Sequence, residues 1–171
     1  MNLKINQMTK IALCTTIMVV CTFITIPFSL IPFTLQTLAV FLILLLLGGK
    51  NGTISIALYI ILGIIGLPVF AGMKGGIAVL FGPTGGYIVG FILQGLLFWL
   101  LEKYNQKILI INLILGLLIC YLFGTLWFVF VYPSPMTFMQ ALSICVTPYI
   151  IPDLLKLSVA LIISKKIKTK I

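Results

Sequence analysis

This 171-residue chain contains no histidine, no arginine and only two acids, Glu102 and Asp153. Without histidine or paired carboxylates it lacks the parts for acid–base, hydrolytic or metal-assisted catalysis. Charged residues make up 8% of the chain, against about one quarter in an ordinary soluble domain, while 62% is hydrophobic. A soluble fold of this size could not bury so much apolar surface, so the composition describes an all-α, multi-pass membrane protein. No polar stretch is long enough to fold separately, which predicts a single integral membrane domain over residues 1–171. There is no phosphate-binding GxxxxGK[ST] string. The one Gly-Lys pair, Gly49-Lys50, has Leu44 where the first glycine should stand. Any ATP used must therefore be hydrolysed by another subunit. Cys14, Cys21, Cys120 and Cys145 all fall in apolar runs, with neither CxxC spacing nor a secreted framework, and read as buried thiols.

What is present is a set of apolar runs punctuated by glycine, proline and lysine. They predict six spans, at about 10–27, 34–48, 52–66, 84–102, 108–131 and 153–166, each near the length needed to cross the hydrocarbon core. The first run, Ile11 to Pro27, is long for a signal peptide and lacks a small-residue cleavage site after it, so it reads as a retained span. The net charge of +9 comes from lysines between spans and at the ends, a topological pattern rather than a nucleic-acid surface. With six spans and a cytoplasmic amino terminus, lysines 4, 10, 50, 103, 107, 165, 166, 168 and 170 face the cytoplasm and only Lys74 lies in an outer loop. A seventh span through Met136 to Ile151 would reverse the lysine-rich tail. That stretch is expected to be a re-entrant or surface helix, packed against other helices. The expected location is the cell membrane, with both termini cytoplasmic.

Asp153 and Lys156 stand out because everything around them is apolar. At i and i+3 they share one helix face, and a charge inside a membrane segment marks a functional site by default. The bland alternative is a structural ion pair, which adds little stability because desolvation offsets the attraction. Pro152 is expected to open the last helix and leave Asp153 near its amino terminus, where free N–H groups favour a carboxylate.

A second stretch, from Gly66 to Tyr87, carries glycines 66, 72, 75, 76, 82, 85 and 86, with Phe70, Phe81 and Tyr87 between them. Either it roofs an outward-facing pocket, with backbone close to a ligand, or it is a connector that lets helices pack tightly. Ala12, Thr16 and Val20 form a small-residue stripe on the first span, suited to a partner subunit or to a neighbouring span. Gln36 and Gln94 read as interhelical hydrogen-bonding groups. Trp99, Trp127 and Tyr132 read as interface-belt residues.

Four ordered motifs carry a family resemblance. They are Ile31-Pro32-Phe33-Thr34-Leu35-Gln36-Thr37-Leu38-Ala39-Val40, Gly66-Leu67-Pro68-Val69-Phe70-Ala71, Gly82-Pro83-Thr84-Gly85-Gly86-Tyr87 and Ile151-Pro152-Asp153-Leu154-Leu155-Lys156. Along nearly its whole length the chain resembles the BioY family, the biotin-binding membrane subunits (S components) of energy-coupling factor (ECF) transporters. The resemblance implies six helices, biotin bound near the extracellular face, no cofactor, and partners comprising a transmembrane coupling protein and two ATP-binding-cassette ATPases. It implies substrate contacts from Asp153, Lys156, Tyr87, Gly85, Gly86, Thr84, Phe70, Lys74 and Gln36. Asp153 or Lys156 would meet the ureido ring, Tyr87 and Phe70 would cover the apolar bicycle, and Lys74 or the N–H groups around Gly85 and Gly86 would receive the carboxylate. Which end of biotin meets the ion pair stays open. Ala12, Thr16 and Val20 look like the family's docking surface for the coupling protein, although family members often carry alanine where this chain has Thr16. Other readings are an S component for another small vitamin, a biotin transporter acting without a coupling module, an intramembrane lipid-modifying enzyme, and a scaffold without a ligand. Turnover of a lipid substrate or co-purification of ATPases would separate these classes.

Overall fold

A computed structural model describes residues 2–27, 30–102 and 108–169 of the protein, with residues 2–4 described by their backbone alone. Lys103, Lys107 and Lys170, used in the topology argument, lie outside the described residues, as does the side chain of Lys4. The elements in chain order are α1 (Asn2–Phe23), β1 (Thr25–Ile26), β2 (Phe33–Thr34), α2 (Gln36–Ile64), α3 (Gly85–Glu102), α4 (Leu109–Val131), α5 (Phe138–Cys145) and α6 (Thr147–Lys168). A short 3-10 turn, Ile77–Val79, interrupts the loop before α3. The two strands pair antiparallel, Thr25 with Thr34 and Ile26 with Phe33, and tie the α1–α2 connection into a small ribbon.

The 29 residues of α2 are not one rod. Gly48 has φ 74° and ψ 177°, outside helical space, in a region that glycine enters without a Cβ penalty. Gln36 Nε2 donates to the Tyr59 hydroxyl at 2.7 Å, although 23 residues separate them. A straight helix would hold them about 35 Å apart. A Cβ at Gly52 would also lie 3.3 Å from Leu44 Cα. The chain therefore doubles back at Gly48 into two antiparallel arms, 36–47 and 49–64. With this hairpin, α1, α3, α4 and the α5–α6 pair, six apolar helical segments form the bundle. Gly48 and Gly49, at the break, meet Glu102, whose Oε2 accepts from Gly49 N–H at 2.6 Å. The hairpin tip and the end of α3 thus share one end of the bundle. The segments 24–27, 30–35, 65–84 and 132–146 share the other, where the site lies.

α3 and α4 pack through small residues. A Cβ at Gly86 would lie 2.3 Å from the Trp127 side chain, and one at Gly90 would lie 2.8 Å from Cys120 Sγ. Such close approach is how helices gain contact in a membrane, where burial from water does not drive them together. α1 is fastened to the second arm by Thr15, which hydrogen-bonds the Ser55 hydroxyl at 3.0 Å, and by Thr22, which meets the Tyr59 hydroxyl at 3.2 Å. Cys14, Cys120 and Cys145 are buried and Cys21 is half-buried, all as free thiols.

The end of the chain departs from the expected pattern. α6 does not open after Pro152: it opens at Thr147, contains Pro148 in its first turn and runs through Pro152. The break lies at Val146, where α5 and α6 meet at a bend of 43°. Proline is compatible with the opening turn of a helix, and Pro152 removes only one further backbone bond. The residues 136–151 are thus the short α5 plus the first turn of α6. Asp153 is the seventh residue of its helix, so free amino-terminal N–H groups do not hold its carboxylate.

Candidate substrate-binding site

Asp153 and Lys156 are both buried, at 2% and 7% exposure, which makes their partners decisive. Lys156 Nζ donates to Asp153 Oδ1 at 2.7 Å. Thr37 Oγ1, from the first arm of α2, donates to the same oxygen at 2.8 Å and accepts from Lys156 Nζ at 3.0 Å. Tyr121 of α4 donates its hydroxyl to Asp153 Oδ2 at 2.5 Å. The ammonium also stands 4.1 Å from the centroid of the Phe33 ring, a cation–π contact. Three helices and the β2 strand therefore converge on one ion pair. An ionised carboxylate offers about four acceptor positions and an ammonium three donors. The internal bonds use three positions on Asp153 and two on Lys156. One acceptor and one donor are left over.

Both residues line a cavity of about 70 Å³. A second cavity, of about 230 Å³, adjoins it toward the glycine-rich loop and is lined by Phe70, Lys74, Thr84 and Pro83. Ile31, Pro32, Gln36, Tyr87 and Phe91 belong to the walls of both. The Tyr87 ring is a fixed wall: it packs on Gly124, and its hydroxyl is 3.1 Å from Thr125 Oγ1. Gln36 is similarly held, between Thr34 Oγ1 and the Tyr59 hydroxyl.

The loop over the outer cavity is anchored. Phe70 is fully buried and meets Tyr59 edge to face at 5.6 Å. A Cβ at Gly63 would lie 2.0 Å from the Phe70 ring. The backbones of Phe70 and Lys74 pair, and Tyr59 donates to the Val69 carbonyl at 3.0 Å. The exposed Lys74 is thereby carried on a pinned turn.

Seven of the nine residues expected at the site line these cavities. Gly85 and Gly86 do not. The Gly85 N–H donates to the Gly82 carbonyl, and a Cβ there would lie 1.7 Å from the Leu80 carbonyl oxygen. Gly86 abuts Trp127. Both are packing glycines, and neither lines the cavities. Trp127 likewise has a structural partner, donating its indole N–H to the Gly82 carbonyl at 3.1 Å. The amide of Gln94 has no hydrogen-bond partner among the described residues, contrary to the interhelical bond expected of it. Sequence reasoning missed Thr37, Tyr121, Phe33, Phe91 and Tyr149. Phe33 and Thr37 lie inside the first of the four motifs, which is the one available signal. Ala12, Thr16 and Val20 lie on the exposed face of α1, and the Thr16 hydroxyl donates back to the Ala12 carbonyl at 3.0 Å.

A sequence model described as the BioY family matches residues 1–171. The chain belongs to the BioY family. The biotin transporter BioY of Thermotoga maritima is 39% identical over 165 residues, covering 95% of this chain and 96% of that protein. The biotin transporter BioY2 of Lactococcus lactis is 40% identical over 159 residues, covering 91% of this chain and 86% of that protein. A crystal structure of the S component for biotin from an ECF-type ABC transporter superposes with a TM-score of 0.85 at 29% identity, over 98% of this chain and 93% of that one. This BioY-family chain is accordingly a multi-pass membrane protein with the S-component fold.

Proposed function

We propose that this protein takes up biotin as the substrate-binding S component of an ECF transporter. It binds the ligand and performs no chemistry on it. The observation that carries the reading is the Asp153–Lys156 pair, which retains one acceptor and one donor beside a cavity after Thr37 and Tyr121 are satisfied. A cyclic urea presents an N–H donor next to a carbonyl acceptor, the complementary pattern. The ureido ring then occupies the inner cavity, with N–H to Asp153 and C=O from Lys156. The thioether bicycle lies between Tyr87, Phe91, Ile31 and Pro32. The valerate runs through the outer cavity toward Lys74. A site built this way rejects ligands that leave its buried polar groups unpaired.

The loops carrying the site face outward, and both termini lie on the cytoplasmic side, as the lysine distribution favours. A transmembrane coupling protein and two ABC ATPases supply the energy, and the exposed Ala12–Thr16–Val20 face meets the coupling protein. The Thr16 hydroxyl turned back on Ala12 leaves a largely apolar stripe, which supports that use. Binding of labelled biotin by the purified protein tests the reading: saturable binding is expected, sharply weakened in Asp153→Asn and Lys156→Ala. Unchanged affinity in both variants would remove the site assignment, and absence of binding by the wild type would remove the function.

A further inference from the structure

At the end of the bundle away from the site, α1, the first arm of α2 and the end of α6 enclose an open groove of about 340 Å³. Its floor is Leu13, Cys14, Ile17, Leu46, Leu47 and Ile167, and Lys10 and Lys168 stand at its rim. The groove has a polarity along its length. Lys10, then Leu13 and Cys14, then Ile17 occupy successive turns of α1, so it descends about 10 Å from an ammonium into the hydrocarbon zone. Among the described residues, no carboxylate pairs with the rim lysines. Of the two acids, Asp153 is committed to Lys156 and Glu102 accepts from the hairpin tip. Lys165 and Lys166, in the last turn of α6, add positive charge at the same end.

We propose that this groove is a binding site for one anionic phospholipid, with an acyl chain along Leu13, Cys14 and Ile17 and the phosphate between Lys10 and Lys168. A basic rim above an apolar cleft between spans suits a ligand with an anionic head and a hydrocarbon tail. A zwitterionic lipid would fill the cleft but gain little from the rim. The site is separate from the biotin cavities, so it stands whether or not the ligand proposed above is correct.

Native mass spectrometry of the full-length protein, released from micelles containing equal phosphatidylglycerol and phosphatidylcholine of matched chains, tests this. One retained phosphatidylglycerol is expected, preferred by roughly 30-fold, the preference two lysines near a surface provide. The preference should fall close to one in Lys10→Ala/Lys168→Ala, and Leu13→Trp should lower retention of both lipids by filling the cleft. The midpoint of thermal unfolding should stay close to the wild-type value in both variants, which reports that they fold. Equal retention of the two lipids by the wild type would overturn the proposal, as would undiminished preference in the double variant. A photocrosslinker at Leu13 that captures a protein chain instead of lipid would also overturn it.

Discussion

The two carboxylates of this chain sit at opposite ends of the bundle and do different work. Glu102 is half-buried, and its carboxylate meets the Gly49 N–H at the break of the α2 hairpin. There it caps the start of the second arm and ties α3 to the hairpin tip. Asp153 is buried, receives bonds from three side chains on three helices, and still has capacity facing a cavity. Rarity of charge picked out both residues equally. What separates a structural carboxylate from a recognising one is whether the capacity its partners leave unused opens onto an enclosed space a ligand can fill.

Substitutions at the two ends should separate these roles. The largest effect is expected for Asp153→Asn, which removes a charged acceptor and leaves Lys156 as an uncompensated buried cation. Breaking such a pair costs about 3–5 kcal/mol, and biotin affinity should fall by roughly 100-fold or more, read by equilibrium binding. Tyr121→Phe removes one hydrogen bond to the carboxylate, worth about 1.5–3 kcal/mol, and should weaken biotin binding by roughly tenfold. If it does not, Tyr121 is a packing residue and the comparison loses one of its three supports. Gly63→Ala places a methyl against the Phe70 ring. Overpacking of this kind costs about 1–3 kcal/mol, so both thermal stability and biotin affinity should drop, because the pinned loop moves. Glu102→Gln should give the smallest effect. Biotin affinity should stay within about twofold, while the midpoint of thermal unfolding falls by about 2–4 °C for each kcal/mol lost. A large loss of biotin binding in Glu102→Gln would erase the distinction between the two acids.

The sequence disclosed the ion pair because charges are scarce in membrane spans, and the motifs around it disclosed the family. The partners of the pair were hidden for a physical reason. Thr37 and Tyr121 lie 116 and 32 residues from Asp153, and threonine and tyrosine are ordinary in apolar helices, so only the packing of α2, α4 and α6 reveals them. Glycine was ambiguous in the same way. Gly85 and Gly86 carry the signature of close backbone approach, but what approaches is Leu80 and Trp127 rather than a ligand. Pro152 reads as a helix start, whereas the bundle tolerates it within α6 and breaks the chain at Val146, where Pro148 in the opening turn is the proline that marks the start. The α2 hairpin was legible, because Gly48-Gly49-Lys50-Asn51-Gly52 interrupts two apolar runs.

The central claim is that Lys156 reads the ureido oxygen while Asp153 reads a ureido N–H. It is tested most directly by comparing affinities for biotin and 2-iminobiotin, in which an imino nitrogen replaces that oxygen, in the wild type and in Lys156→Ala. The account predicts that the wild type prefers biotin by at least about tenfold, as one hydrogen bond to a charged group implies, and that Lys156→Ala binds biotin more weakly with most of the preference gone. The same preference in both proteins would contradict it.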